Sequence, residues 1–77
     1  MSDLTFLTRD RCLLCVEALA VVEEQVRRRR HTVRIIDVDS DPTLRDRYGD
    51  RVPVVLRDGS EVLAGAFTPR AVRRALR

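Results

Sequence analysis

The 77-residue sequence has no lysine, no tryptophan, only two cysteines and no long hydrophobic run. No apolar segment approaches the roughly 20 residues that a bilayer-spanning helix needs, so we expect no membrane segment. The first residues lack a basic region followed by an apolar one, which argues against a signal peptide and favours a cytoplasmic protein. Two cysteines are too few for a secreted disulfide scaffold.

All fifteen basic residues are arginine, and the formal net charge is +3. The densest cluster, Arg27–Arg30, would suit nucleic-acid phosphates. The same cluster fits the last turn of a helix, where cations complement the helix dipole. Glu23 and Glu24 precede it at the spacing of helical ion pairs. Because no aromatic residue is interleaved to stack on bases, we predict no nucleic-acid partner.

The composition is that of one small globular domain. Hydrophobic residues make up 44% of the chain and charged residues 35%, which leaves enough apolar side chains for a core. No linker, repeat or low-complexity segment divides the chain, so we predict a single domain over residues 1–77. No long exposed apolar helix face demands a second copy, and we therefore expect a monomer.

The apolar periodicity predicts seven elements in the order βαβαββα. The predicted strands cover residues 4–8, 33–38, 53–57 and 61–64. The predicted helices cover residues 12–30, 42–48 and 69–77, the last two opened by an Asp-Pro and a Thr-Pro pair. A helix between the first two strands makes them parallel, and Asp58-Gly59 makes the last two an antiparallel hairpin. We therefore predict an α/β fold with a four-stranded mixed sheet and helices on both faces.

Cys12 and Cys15 stand three residues apart, where the first predicted strand passes into the first predicted helix. Two thiols at this spacing in a first helical turn can form an intramolecular disulfide. Unpaired amides and the helix dipole favour a thiolate there, and the thiolate is the form that attacks disulfides. The pattern predicts redox chemistry. Metal or iron–sulfur binding is an alternative, because two thiolates are half of a tetrahedral site.

Three segments carry a resemblance to a known family, and they occur in the order that its fold requires. The segments are Cys12-x-x-Cys15, Asp37-Val38-Asp39 and Val52-Pro53-Val54, the last followed by Asp58-Gly59. Together they resemble the glutaredoxin-like branch of the thioredoxin superfamily over nearly the whole chain. The resemblance implies a thioredoxin-like fold. It also implies a small thiol-disulfide oxidoreductase in which Cys12 is the nucleophile and Cys15 the resolving cysteine.

Five further residues are predicted to bind the substrate. They are Arg9, Arg11, Val52, Pro53 and Gly65. The resemblance implies a cis bond before Pro53, which exposes the backbone of Val52 to an extended partner chain. The two arginines flank the cysteines, and a nearby cation lowers the pKa of a thiol. Gly65 permits close backbone approach.

The chain departs from the family pattern at three places. Leu13-Leu14 stands between the cysteines, where glutaredoxins usually have Pro-Tyr and thioredoxins Gly-Pro. No tryptophan precedes Cys12, so an ordinary thioredoxin is excluded. Arg51-Val52-Pro53 replaces Thr-Val-Pro, and Ala64–Thr68 replaces the Gly-Gly-x-x-Asp that usually contacts glutathione. Glutathione stays a candidate reductant, and we expect no tightly bound cofactor.

The predicted partners follow from this chemistry. We expect a disulfide-containing protein or a small-thiol substrate, together with an upstream reductase. A redox-inactive adaptor that keeps the fold and the cysteines but serves to bind a partner protein is the alternative function.

Overall fold

The computed structural model describes residues 2–77, and its elements follow the predicted order βαβαββα. The strands are β1 (Asp3–Thr8), β2 (Thr32–Asp37), β3 (Val54–Arg57) and β4 (Ser60–Ala64). The helices are α1 (Leu13–Arg28), α2 (Pro42–Tyr48) and α3 (Pro69–Ala75). None of the helices within residues 2–77 has the length and apolar character needed to cross a bilayer.

The four strands form one mixed sheet in the order β2-β1-β3-β4. β1 pairs in parallel with β2, and β3 pairs antiparallel with both β1 and β4, as predicted. Asp58 and Gly59 join β3 to β4 with φ values of 50° and 89°, which are the left-handed values that a tight hairpin turn requires. Because β1 and β2 run in parallel, their C-terminal residues, Thr8 and Asp37, lie side by side at the same end of the sheet.

Helices pack on both faces of the sheet, and each face has its own core. The first cluster of buried residues comprises Leu4, Phe6, Cys15, Ala18, Val22, Val55, Val72 and Leu76. The second comprises Leu7, Val38, Tyr48 and Val54. Successive residues of a strand point to opposite faces, so the neighbours Phe6 and Leu7 serve different clusters. The predicted fold class is confirmed.

The predicted end of the second strand is wrong by one residue. Val38 was expected to end that strand, but β2 stops at Asp37 and Val38 opens a short 3-10 helix. The Asp37 carboxylate accepts a hydrogen bond from the Asp39 N–H at 2.9 Å, and its carbonyl accepts one from the Ser40 hydroxyl at 2.6 Å. These local bonds compete with strand pairing, and the Val38 side chain packs in the second cluster.

The basic cluster after α1 is partly neutralised by the helix itself. Glu24 forms ion pairs with Arg27 and with Arg28, the latter at 3.3 Å. The helix ends at Arg28, two residues before the predicted end. Half of the predicted basic cluster is therefore engaged by a helical neighbour.

His31 and Arg57 tie the two ends of the described chain together. The His31 Nδ1 accepts a hydrogen bond from the Ser2 N–H at 3.1 Å, and Nε2 donates to the Leu76 carbonyl at 2.7 Å. Arg57 donates to the Ser2 hydroxyl at 3.1 Å and to the Ala75 carbonyl at 2.8 Å. The only histidine of the sequence thus has a structural role between β1 and the end of α3.

Candidate active site

Cys12 and Cys15 form a disulfide across the first turn of α1, with their Cα atoms 5.2 Å apart. Cys12 is the N-cap residue of α1 and has an extended backbone, with φ −109° and ψ 96°. Its Sγ accepts a hydrogen bond from the Cys15 N–H at 3.1 Å. This amide is one of the donors that a helix start leaves unpaired, so the Cys12 sulfur occupies the position of a capping oxygen.

The two cysteines differ in their access to solvent. Cys15 is 1% exposed and belongs to the first core cluster, whereas Cys12 is only half-buried and packs against the edge of that cluster. A molecule that approaches from outside therefore meets Cys12 first. Residues 2–77 contain no group of three or more histidine, cysteine, aspartate and glutamate side chains that could hold a metal ion.

Three apolar side chains beside Cys12 are exposed, and we call them the apolar patch. Leu13, Leu14 and Val16 are 72%, 41% and 66% exposed. The first two occupy the positions between the cysteines, where the sequence already departs from the family. Val16 was not singled out, although it falls outside the buried helical spacing of Cys15, Ala18 and Val22. The start of α1 therefore exposes apolar side chains next to Cys12.

The bond between Val52 and Pro53 is cis, as the resemblance implied. Pro53 is fully buried, and its carbonyl accepts a hydrogen bond from the Gly65 N–H at 2.8 Å. Val52 is partly buried against both core clusters, including the one that contains Cys15. It precedes the first residue pair of β3, and no hydrogen bond found among residues 2–77 uses its N–H or carbonyl.

Gly65 and Phe67 shape the loop between β4 and α3. Gly65 has φ +85°, which side-chain-bearing residues rarely adopt, and a Cβ placed there would meet no atom within 4 Å. The positive φ explains why a glycine occupies this position, since the surrounding space would accept a side chain. Phe67 packs edge-on against Phe6 with ring centroids 6.2 Å apart. Sequence analysis missed Phe67, whose only signal was its place in the altered Ala64–Thr68 segment.

Arg9, predicted to bind substrate, is engaged within the fold. Its guanidinium donates to both carboxylate oxygens of Asp39 at 3.0 Å and to the Gly49 carbonyl at 3.1 Å. The hydrogen bond to Asp39 raises the pKa of Arg9, and the same bond lowers the pKa of the Asp39 carboxyl. Arg9 thereby links the turn before Cys12 to the 3-10 helix and to the end of α2.

The other flanking arginine, Arg11, is exposed immediately before Cys12 and has φ 57°. This left-handed conformation is unfavourable for a residue with a side chain and turns the chain from β1 into α1. Arg51, at the altered Thr-Val-Pro position, forms an ion pair with Glu61 of β4. That hydrogen bond raises the pKa of Arg51. Of the three cations Arg9, Arg11 and Arg51, Arg11 is the one that forms no ion pair within residues 2–77.

The ion pair between Arg9 and Asp39 predicts an acid-sensitive contribution to stability. Because the pKa of Asp39 is lower in the folded protein than its ordinary 3.8, the ionised carboxylate stabilises the fold above that value. The contribution disappears as the pH falls through the folded pKa. Asp39→Asn should cause a small stability loss at neutral pH, since the pair is partly exposed.

Thermal unfolding at a series of pH values measures this contribution. The difference between the wild type and Asp39→Asn should be constant near neutral pH and shrink below about pH 4. Asp46→Asn, which removes an exposed carboxylate of α2 with no ion pair within residues 2–77, is the control. A difference for Asp39→Asn that does not change with acid would contradict the expectation.

Comparisons with known proteins identify a family for this chain. The glutaredoxin-like domain family (DUF836) matches residues 3–77. Uncharacterized proteins of Mycobacterium bovis and Mycobacterium tuberculosis are 40% identical over 60 residues, covering 71% of this chain. The chain spans 62% of the length of these curated relatives.

Solved structures show the same fold. A structural-genomics target protein from X. campestris is 35% identical, with a TM-score of 0.71, and the match covers 92% of this chain and 91% of that one. A mutant thioredoxin from Halobacterium salinarum is 30% identical, with a TM-score of 0.72, over 97% of this chain and 71% of its own. Thioredoxin 1 from Thermosipho africanus, at 20% identity, has a TM-score of 0.69 over 95% and 88%. With its family match and its four-stranded sheet, the chain belongs to the glutaredoxin-like domain family and has the thioredoxin fold.

Proposed function

We propose that this chain is a thiol-disulfide oxidoreductase in which Cys12 is the nucleophile and Cys15 the resolving cysteine. The observation that carries the proposal is the unequal placement of the two sulfurs. Cys12 caps α1 and is only half-buried, and its Sγ already accepts a hydrogen bond from a helix amide. Cys15 is buried within bonding reach of it. Helix-start amides favour the thiolate that attacks a disulfide.

The reaction takes place in two exchange steps. The Cys12 thiolate attacks one sulfur of the substrate disulfide, and the other substrate sulfur leaves as a thiolate and takes a proton. The Cys15 thiolate then attacks the Cys12 sulfur, which forms the Cys12–Cys15 disulfide and releases the second substrate thiol. The substrate gains two electrons and two protons. An upstream dithiol reductase or glutathione restores the dithiol by the reverse exchange.

Two features favour a protein disulfide over glutathione as the substrate. Arg51 is paired with Glu61, and Thr68 accepts a hydrogen bond from the Ala71 N–H at 3.1 Å as the N-cap of α3. The residues that replace the usual glutathione contacts are therefore engaged within the fold. The apolar patch and the free backbone groups of Val52 suit an extended polypeptide with apolar side chains next to its cystine.

The apolar patch allows a test of this substrate class. Replacing both Leu13 and Leu14 with serine should lower the rate of insulin disulfide reduction roughly thirtyfold, since covering each leucine contributes about 1 kcal/mol and the pair about 2 kcal/mol. The rate with hydroxyethyl disulfide, which is too small to cover the patch, should change less than about twofold. Ile35→Ser, at a half-exposed apolar residue of β2, is the matched control. Equal losses with both substrates would show that the patch affects the cysteines instead of the partner.

Equilibration in glutathione buffers of graded potential, followed by alkylation and mass measurement, tests the proposed function. A Cys12–Cys15 disulfide that titrates between roughly −200 and −270 mV is the expected result for a reducing dithiol carrier. A Cys12–glutathione adduct would identify glutathione as a direct reactant. If no intramolecular disulfide forms across the range, the oxidoreductase proposal fails and the adaptor function is favoured.

A further inference from the structure

Four arginines lie along the exposed side of α3 and just past its end. They are Arg70, Arg73, Arg74 and Arg77. Their spacing of three and four residues places Arg70, Arg73 and Arg74 on one face of α3, opposite the buried Val72, and Arg77 follows two residues after the helix ends. We call this set of four the arginine row. At 1.5 Å per residue its three helical members extend over about 6 Å.

The arginine row has no negative partner within residues 2–77. None of the ion pairs formed in this part of the chain includes one of its members. The sequence of α3, PRAVRRA, contains no carboxylate. Four arginines outside the row, Arg9, Arg27, Arg28 and Arg51, pair with acidic side chains. Like charges three and four residues apart repel one another on a helix.

The position of Arg70 argues against a purely local role for the row. Arg73, Arg74 and Arg77 lie near the C-terminal end of α3, where cations complement the dipole. Arg70 lies in the first turn, where a cation is unfavourable and the helix has no acidic residue. Helix stability therefore does not account for the whole set, whereas a negatively charged ligand along the row would contact all four.

We propose that the arginine row is a docking surface for an acidic segment of a partner protein. Guanidinium groups bind carboxylates in a bidentate manner, and glutamates on a helix repeat at the same three- and four-residue spacing as the row. A nucleic acid fits less well. The row is a single narrow line, and α3 carries no aromatic residue for base stacking.

The row begins beside the candidate active site. α3 starts at Pro69, four residues after Gly65, whose N–H donates to the Pro53 carbonyl. A partner held on the row therefore lies next to the loop that carries Val52 and Pro53. Docking uses no sulfur atom, so the surface is independent of the proposed redox function, and its failure would leave that function untouched.

Fluorescence anisotropy with a labelled glutamate-rich helical peptide tests the proposal on the full chain. The row variant changes all four arginines of the row to glutamine. The control variant changes four exposed arginines outside it: Arg30, Arg34, Arg45 and Arg47. Each variant removes four charges from the net +3, which leaves −1 in both. We expect the row variant to bind the peptide at least about tenfold more weakly than the wild type, and the affinity of the control variant to change less than about threefold. Binding of the peptide to the wild type should weaken as salt is added.

Equal losses in the two variants would overturn the proposal, because they would show attraction by net charge alone. Tighter binding of a labelled oligothymidylate than of the peptide, lost in the row variant, would overturn it in favour of a nucleic acid. Circular dichroism checks that both variants are folded. If the fourfold variant is not folded, the pair Arg73→Gln and Arg74→Gln against Arg30→Gln and Arg34→Gln provides the same comparison.

Discussion

Cys12→Ser should abolish disulfide reduction, and Cys15→Ser should trap the protein in a mixed disulfide with its substrate. Without Cys12, the sulfur that remains is 1% exposed and no substrate can reach it. Removal of a nucleophile usually lowers turnover by several orders of magnitude. Without Cys15, the first exchange still proceeds, but no buried thiol is present to resolve the product.

Insulin reduction driven by dithiothreitol measures turnover, and mass spectrometry under non-reducing conditions detects the mixed disulfide. The two serine variants are each other's control, because each removes one sulfur and both lose the disulfide. Turnover by Cys15→Ser at the wild-type rate would indicate a mechanism that uses Cys12 alone. If Cys12→Ser turns over normally, the oxidoreductase proposal is wrong.

Phe6→Ala should bring the domain close to unfolding. Phe6 is fully buried at the centre of β1 and packs edge-on with Phe67. Truncation of a buried phenylalanine costs about 3–5 kcal/mol. At about 0.05–0.15 kcal/mol per residue, a domain of 77 residues has a total stability of only about 4–12 kcal/mol.

Urea unfolding followed by circular dichroism measures this loss. The matched control is Ile35→Ala, because Ile35 pairs with Phe6 in the register of β1 and β2 but is half-exposed. It should cost no more than about 1 kcal/mol. A loss of similar size in both variants would mean that the first cluster is not the main source of stability.

Much of the fold could be predicted because its signals are local. The Asp-Pro and Thr-Pro pairs mark the starts of α2 and α3, and both acceptors cap their helices as expected. The helical spacing of apolar residues predicted an inward face of α1 made of Cys15, Ala18, Leu19, Val22 and Val26. Three of these, Cys15, Ala18 and Val22, are buried, and Leu19 and Val26 are partly buried against the first cluster. Gln25 was not predicted, although it continues the same spacing and is buried, because a polar side chain there carries no hydrophobic signal.

The contacts that sequence analysis missed join residues distant in the chain. Arg9 and Asp39 are 30 residues apart, so no local pattern connects them. Arg9 was therefore assigned to the cysteines, its neighbours in the sequence, although its guanidinium binds Asp39 and Gly49. Arg51 likewise pairs with a carboxylate that no local pattern indicated, that of Glu61 on β4.

In the candidate site, too, features set by neighbouring residues were predictable, and features set by contacts between distant residues were not. The position of Cys12 at the start of α1 was predictable from the strand-to-helix transition. The packing of Phe67 on Phe6 was not, because it depends on how the loop before α3 returns to β1. The exposure of Val16 was predictable but was overlooked, because Val16 lies outside the helical spacing of the buried Cys15, Ala18 and Val22.

Cys15 combines a place in the hydrophobic core with the chemical role proposed for it. Its sulfur belongs to the same cluster as Leu4, Phe6 and Val22, so under the proposed function one atom both fills the interior and reacts. Any change that loosens this interior also admits outside oxidants to the second sulfur and alters the surroundings in which its thiol forms. If Cys15 reacts as proposed, a change in how tightly the core packs therefore also changes how readily the dithiol gives up electrons to a substrate.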